Sequence, residues 1–140
     1  MEFEIIDHPA DIGFRVYGES LEKALENASE ALYSLLMMEK GHVCKEEIEL
    51  EVHSEDLESM LYDFLENILI SYEVDNFVAC KYNIGVKRNK EKYILSAALS
   101  GYHEDPRCEN RKYDVKAITY HMMAIENTED GWLIQVIVDI

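Results

Sequence analysis

Three oxygen-bearing groups in this sequence have the chemistry to hold a cation. They are Asp11 in "HPADIG", Asp139 in "WLIQVIVDI", and the carboxylate that ends the chain at Ile140. Asp139 and Ile140 put two anions side by side at a strand end, and these repel unless a cation or a basic group neutralises them. A turn that brought Asp11 to the same place would collect three anionic ligands. A hard divalent ion such as Ca²⁺ or Mg²⁺ suits such a set, whereas zinc prefers more nitrogen or sulfur. His8, in the same turn, would orient a carboxylate or a bound water and not ligate the ion itself. Each piece also has a plainer reading. Asp and Pro are ordinary turn formers, and chain ends fray into solvent. The residues alone leave both readings open.

A second group of polar residues lies in "VKAITYH". Strand alternation predicts Val115, Ala117, Thr119 and His121 on one face, with Lys116, Ile118 and Tyr120 on the other. A lysine in a mostly apolar strand reads first as an exposed edge residue, and a lone histidine as a hydrogen-bonded structural one. The chain has no Walker loop, GxGxxG, HExxH or Ser-His-Asp order. Nothing in the residues announces a catalytic apparatus.

The elements that must position these groups are legible from periodicity. "FEII" and "IGFRVYG" read as two short strands around the turn with His8 and Pro9. "SLEKALENASEALYSLLM" carries Leu21, Ala24, Leu25, Ala28, Leu32, Leu35 and Leu36 at helical spacing, with Ser20 as N-cap and Glu22 in the first turn. "IELEVHS" alternates as a strand with one wet face. Ser54 is then expected to cap a second helix, whose buried stripe is Leu57, Met60, Leu61, Phe64, Leu65, Ile68 and Leu69. "FVACKYNIGVK" and "KYILSAALSG" flank a polar hairpin connection, "HEDPRCENRK" is a loop, and "DVKAITYHMMAIEN" and "WLIQVIVDI" read as two final strands around "TEDG". The expected architecture is one α+β domain over 1–140. It has a mixed or antiparallel sheet of about six to seven strands and two amphipathic helices.

Composition narrows the class. A hydrophobic fraction of 48% over 140 residues supports a packed core despite a net charge of −16. Residues 1–75 hold 20 acids against 4 Lys and Arg, while residues 76–140 hold 9 of each, so the excess belongs to the first half. Such a surface repels phosphate backbones, disfavours strong direct nucleic-acid binding, and steers the protein toward a basic partner. The start "MEFEII" lacks a signal-peptide pattern, and "MLYDFLENILISY" carries Asp63 and Glu66, so no membrane span is expected and a cytoplasmic location is. Cys44, Cys80 and Cys108 form no CxxC pair and are expected to be reduced.

Together, "HPADIGFRVYGESLEKALENASEAL", "VKAITYHMM" and "WLIQVIVDI" resemble the archease family over nearly the whole chain. The resemblance implies an accessory role, without catalysis of its own, in RNA ligation. Such a protein activates an RtcB-type RNA ligase in tRNA splicing by promoting its guanylylation and repeated turnover. It further implies a divalent metal, calcium first and Mg²⁺ or Mn²⁺ as alternatives, on Asp11, Asp139 and Ile140. Lys116 takes an activating role, with His8 and His121 in support. A chaperone-like role toward a tRNA-modifying enzyme, such as a methyltransferase, is the alternative implied. Two positions depart from the family pattern: Pro9 stands where threonine is usual, and Cys108 follows Arg107 where histidine is.

Overall fold

Alternating apolar residues and two capped helical stripes produce ten elements in the computed structural model, which describes residues 2–7 and 10–140. They are β1 (Phe3–Asp7), β2 (Asp11–Gly18), α1 (Leu21–Leu36), β3 (Glu46–Ser54), α2 (Leu57–Asp75), β4 (Phe77–Asn89), β5 (Lys92–His103), β6 (Ala117–Ile118), β7 (Ala124–Thr128) and β8 (Gly131–Asp139). The expected α+β class with two helices is borne out, and every strand pairing is antiparallel. The described strands number eight, not six or seven, and they divide into two sheets. One runs β1-β2-β8-β6 with β7 also paired to β8; the other runs β3-β5-β4.

The helices begin where short polar side chains can satisfy the first free amides. The Ser20 hydroxyl accepts from the Lys23 amide at 3.0 Å, as expected for α1. For α2 the cap is Asp56, not Ser54: the Asp56 carboxylate accepts from the Ser59 amide at 2.7 Å. Ser54 instead completes the β3 ladder opposite Tyr93, with its hydroxyl buried and unpartnered among the described residues. At the far end of α2, Asn76 adopts the left-handed conformation (φ 57°), and its amide bonds the Ser71 and Tyr72 carbonyls.

Both helices touch both sheets, so the apolar side chains form one continuous core. Leu25, Leu32 and Leu36 of α1, and Met60, Leu61 and Phe64 of α2, are fully enclosed. Each such side chain contributes about 1.5–3 kcal/mol by leaving water. No described helix is long and apolar enough to cross a membrane.

The cysteine expectation is corrected. Cys44 and Cys80 form a disulfide with Cα atoms 6.2 Å apart, and only Cys108 is free, on the surface. Cys80 sits at the register shift between Ala79 and Lys81 in β4, a place set by pairing across three strands and invisible to cysteine spacing. The single strand expected over "DVKAITYHMMAIEN" is also corrected: the chain leaves the sheet after Ile118 and re-enters at Ala124 as β7.

The bulge depends on close backbone approach. A Cβ at Gly101 would lie 1.9 Å from the Val78 carbonyl oxygen and 2.9 Å from the Ala79 Cα. Gly101→Ala is therefore expected to cost at least about 2 kcal/mol, because backbone cannot move aside as a flexible side chain does. Urea unfolding checks this: the midpoint falls with an unchanged slope.

Candidate functional site

The site is organised by the end of β8, which is paired on both sides. Asp139 lies opposite Asp11 of β2 and opposite Ala117 of β6. Period-two alternation follows from that register. Ile12, Phe14 and Val16 join Val138, Val136 and Ile134 in the core, so Asp11, Gly13 and Arg15 share the other face with Asp139, Ile137 and Gln135. Two carboxylates thus stand directly across from each other, where like charges destabilise a sheet. Asp11 is half-buried, and its Oδ1 is enclosed with no hydrogen-bond partner among the described residues. An orphaned carboxylate oxygen facing a second carboxylate is a donor set that a hard cation fits.

Backbone contacts bring the other candidates to the same corner. The Lys116 amide donates to the Asp139 carbonyl at 2.8 Å, and the Ile140 amide reaches the Ala10 carbonyl at 3.4 Å. Ile140 therefore lies beside the residue preceding Asp11. One more step of the β6–β8 register sets Lys116 opposite Ile140, and Lys116 is exposed, as its edge position predicts. Asp11, Asp139, Ile140 and Lys116 converge on this corner.

His121 does not share the expected face with Ala117 and Thr119. It lies in the turn between β6 and β7, exposed, with its amide donating to the Thr119 hydroxyl at 3.2 Å. The alternation fails there because the chain has already turned: Met122 takes a left-handed backbone (φ 53°). His8 and Pro9 lie outside the described residues. Among the described residues no group of three or more His, Cys, Asp and Glu side chains forms a metal cluster. A third protein donor would come from the Ile140 main chain.

A hydrogen-bonded ladder on the same face has no counterpart among the sequence motifs. The Arg15 guanidinium donates through Nε (3.0 Å) and Nη2 (2.5 Å) to Gln135 Oε1, and through Nη1 to Glu4 at 2.8 Å. Gln135, itself buried, donates from Nε2 to the Met122 carbonyl at 2.8 Å. Thr119 completes the fastening, its amide (3.1 Å) and its hydroxyl (2.8 Å) both donating to the Ile137 carbonyl. The available signal is Gln135 itself, the one amide in a final strand whose only other polar side chain is Asp139.

Comparison with known proteins places this geometry in a family context. Residues 3–140 match the family model described as "Archease protein family (MTH1598/TM1083)". The chain is 40% identical to a protein archease of Pyrococcus furiosus, with 99% of each chain covered. It is 36% identical to one from Methanosarcina mazei, covering 99% of this chain and 96% of that one. Its fold superposes on the solution structure of Methanobacterium thermoautotrophicum protein 1598 with a TM-score of 0.84 and 31% identity, covering 99% and 98% of the two chains. A Thermotoga maritima crystal structure described as an archease, possible chaperone, shares the fold at a TM-score of 0.61 and 24% identity, covering 96% and 94%.

The opposed carboxylates and the ladder make separable predictions. In chelator, Asp139→Asn is expected to raise stability by about 0.5 kcal/mol, since it removes a like-charge pair. A fall in the denaturation midpoint would mean that Asp139 is a structural acceptor. Gln135→Leu leaves the Met122 carbonyl without its side-chain donor and Arg15 with Glu4 alone, and is expected to cost about 1–3 kcal/mol.

Proposed function

This chain belongs to the archease family, and from that membership we propose that it is an accessory protein that activates an RtcB-type RNA ligase. In this reading Asp11, Asp139 and the Ile140 carboxylate hold one divalent ion, calcium first, with Mg²⁺ or Mn²⁺ as alternatives. The observation that carries it is the Oδ1 of Asp11, enclosed and without a partner among the described residues, on the residue that lies opposite Asp139 in the β2–β8 pair. When bound, the ion would supply fixed positive charge and open coordination positions for oxygen ligands.

The chain's own residues divide the remaining work. Asp11 is held by the β2 ladder and Asp139 by ladders on both sides, so their oxygens are presented on rigid backbone. Lys116 is anchored through its amide to the Asp139 carbonyl, and its exposed ammonium would be free to pair with an anionic group of the ligase or its nucleotide. The excess of acids over bases favours a basic, RNA-binding protein as partner and disfavours direct hold on RNA. The protein would work in the cytoplasm and carry out no chemistry alone.

The second reading is a chaperone-like module for a tRNA-modifying enzyme such as a methyltransferase. It is favoured by the description of the Thermotoga maritima structure as a possible chaperone. Light scattering by the methyltransferase with and without this protein separates it from the first.

The decisive experiment is multiple-turnover RNA ligation by the cognate ligase. Wild type is expected to sustain turnover, and Asp11→Ala and Lys116→Ala to lose it; equal rates for wild type and Asp11→Ala would remove the site from the mechanism. Thermal melts give an independent readout. Calcium at a hundred times its Kd is expected to stabilise wild type by about 2.7 kcal/mol and Asp11→Ala by much less.

A further inference from the structure

The turn after β6 presents an aromatic pair that the metal corner does not use. Tyr120 stacks on Tyr62 of α2 with ring centroids 4.5 Å apart and planes 6° from parallel. Stacked tyrosines usually bury their faces in a core, yet Tyr120 is 54% exposed and its neighbour Met122 is 51% exposed. The pair is held there, not left dangling, because Thr119 is fastened to the Ile137 carbonyl and the Met122 carbonyl to Gln135.

Carboxylates surround the stack. Mutual burial raises both phenol pKa values, and neighbouring acids raise them further: Glu66 and Asp63 at Tyr62, and Asp63, Asp56 and Glu66 at Tyr120. Among the described residues none of these three acids has a salt-bridge partner. An open ring face attracts a cation, and carboxylates beside it that lack an ion-pair partner supply the counter-charge, Asp56 keeping one oxygen on the Ser59 amide as the α2 cap. A guanidinium meets both demands, since it is planar enough to stack and forked enough to bind a carboxylate through two N–H groups. A nucleobase would also stack, but its phosphates would meet three acids.

We infer that Tyr62, Tyr120 and the flanking Asp56, Asp63 and Glu66 form a docking platform for an arginine-bearing segment of a basic protein partner. This rests on the reading of the chain as an accessory to such a partner and assigns the place and chemistry of contact. The platform is preorganised: the rings are already stacked and the turn already pinned, so little ordering is left to offset binding.

The test is an amide-resolved NMR titration of the full chain with acetylated hexa-arginine and, separately, hexa-lysine, at about 0.15 M salt to screen diffuse attraction. Shifts are expected at Tyr62, Tyr120 and Met122, with hexa-arginine at least about threefold tighter than hexa-lysine. Tyr120→Ser is expected to weaken hexa-arginine about fivefold and Tyr120→Phe to retain it, because the ring and not the hydroxyl is the platform. Glu47→Gln with Glu49→Gln, on the far face of the second sheet, serves as the charge control and should change affinity less than twofold. Equal affinity for both peptides with shifts scattered over the acidic surface would overturn the platform, as would an equal loss in the charge control. Preferential binding of oligo-uridine at Tyr120 would overturn the protein partner in favour of RNA. If ligation is unaffected by wild type while hexa-arginine still binds at Tyr120, the ligase reading fails and the platform stands.

Discussion

The pairing of β2 with β8 is the constraint on which the rest of the site depends. It joins the eleventh residue of the chain to the next-to-last one and fixes the face of every side chain on both strands. A slip of β2 by one residue against β8 would turn Asp11 into the core and expel Ile12. Burying a carboxylate there would cost more than the sheet could recover, so the apolar set on one face enforces the polar set on the other. The opposed acids are in this sense a consequence of core formation. Close approach reinforces the register: a Cβ at Gly13 would come within 2.4 Å of Ile137 Cδ1 and 2.6 Å of the Val136 carbonyl oxygen.

What could be read from the sequence follows how local each determinant is. The Ser20 cap, the α1 stripe, the β3 alternation and the β4–β5 hairpin depend on residues within a few positions of one another, and they appear as expected. Ser54 and Asp56 are both competent caps two residues apart, and the outcome turned on how far the β3 ladder extends toward Tyr93, a tertiary matter. The break in "VKAITYHMMAIEN" was hidden for a related reason. Every residue there tolerates a strand, and the turn is held by Gln135 and Ile137 of a strand not yet formed when the segment is considered alone. The two-sheet division likewise has no local marker, because alternation reports a wet face and a dry face but not which neighbour supplies the dry side.

At the candidate site, Asp11, Asp139, Ile140 and Lys116 were named from residue type and family resemblance, and the fold brings all four to one corner. Arg15 and Gln135 were not named, since an arginine and a glutamine in separate strands carry no signal until the register sets them opposite each other. His121 was misplaced for the same reason as the turn that holds it.

The proposed metal corner and the proposed tyrosine platform are two ends of one short stretch. Ala117 pairs with Asp139, Thr119 is bonded to Ile137 and Met122 returns to Gln135, so three points of the segment are tied to β8, while Tyr120 rests on Tyr62 of α2. Such a segment has no slack with which to move one end independently. Charge collected at Asp11 and Asp139 bears on the strand end to which Lys116 and Ala117 are fastened, while a partner seated on Tyr120 bears on the same segment three residues later. If the segment has two arrangements, occupation of either end biases it, and the coupling must be reciprocal: an ion that tightens partner binding by some factor is itself tightened by the partner to the same extent. If it has only one, the two sites are thermodynamically independent and the ion's role is confined to the groups it touches. The dense fastening to β8 and the fully enclosed Val136, Ile137 and Val138 beneath it favour the single arrangement. On that argument the stretch would serve as a ruler between the proposed docking contact and the carboxylates, and would transmit no conformational signal.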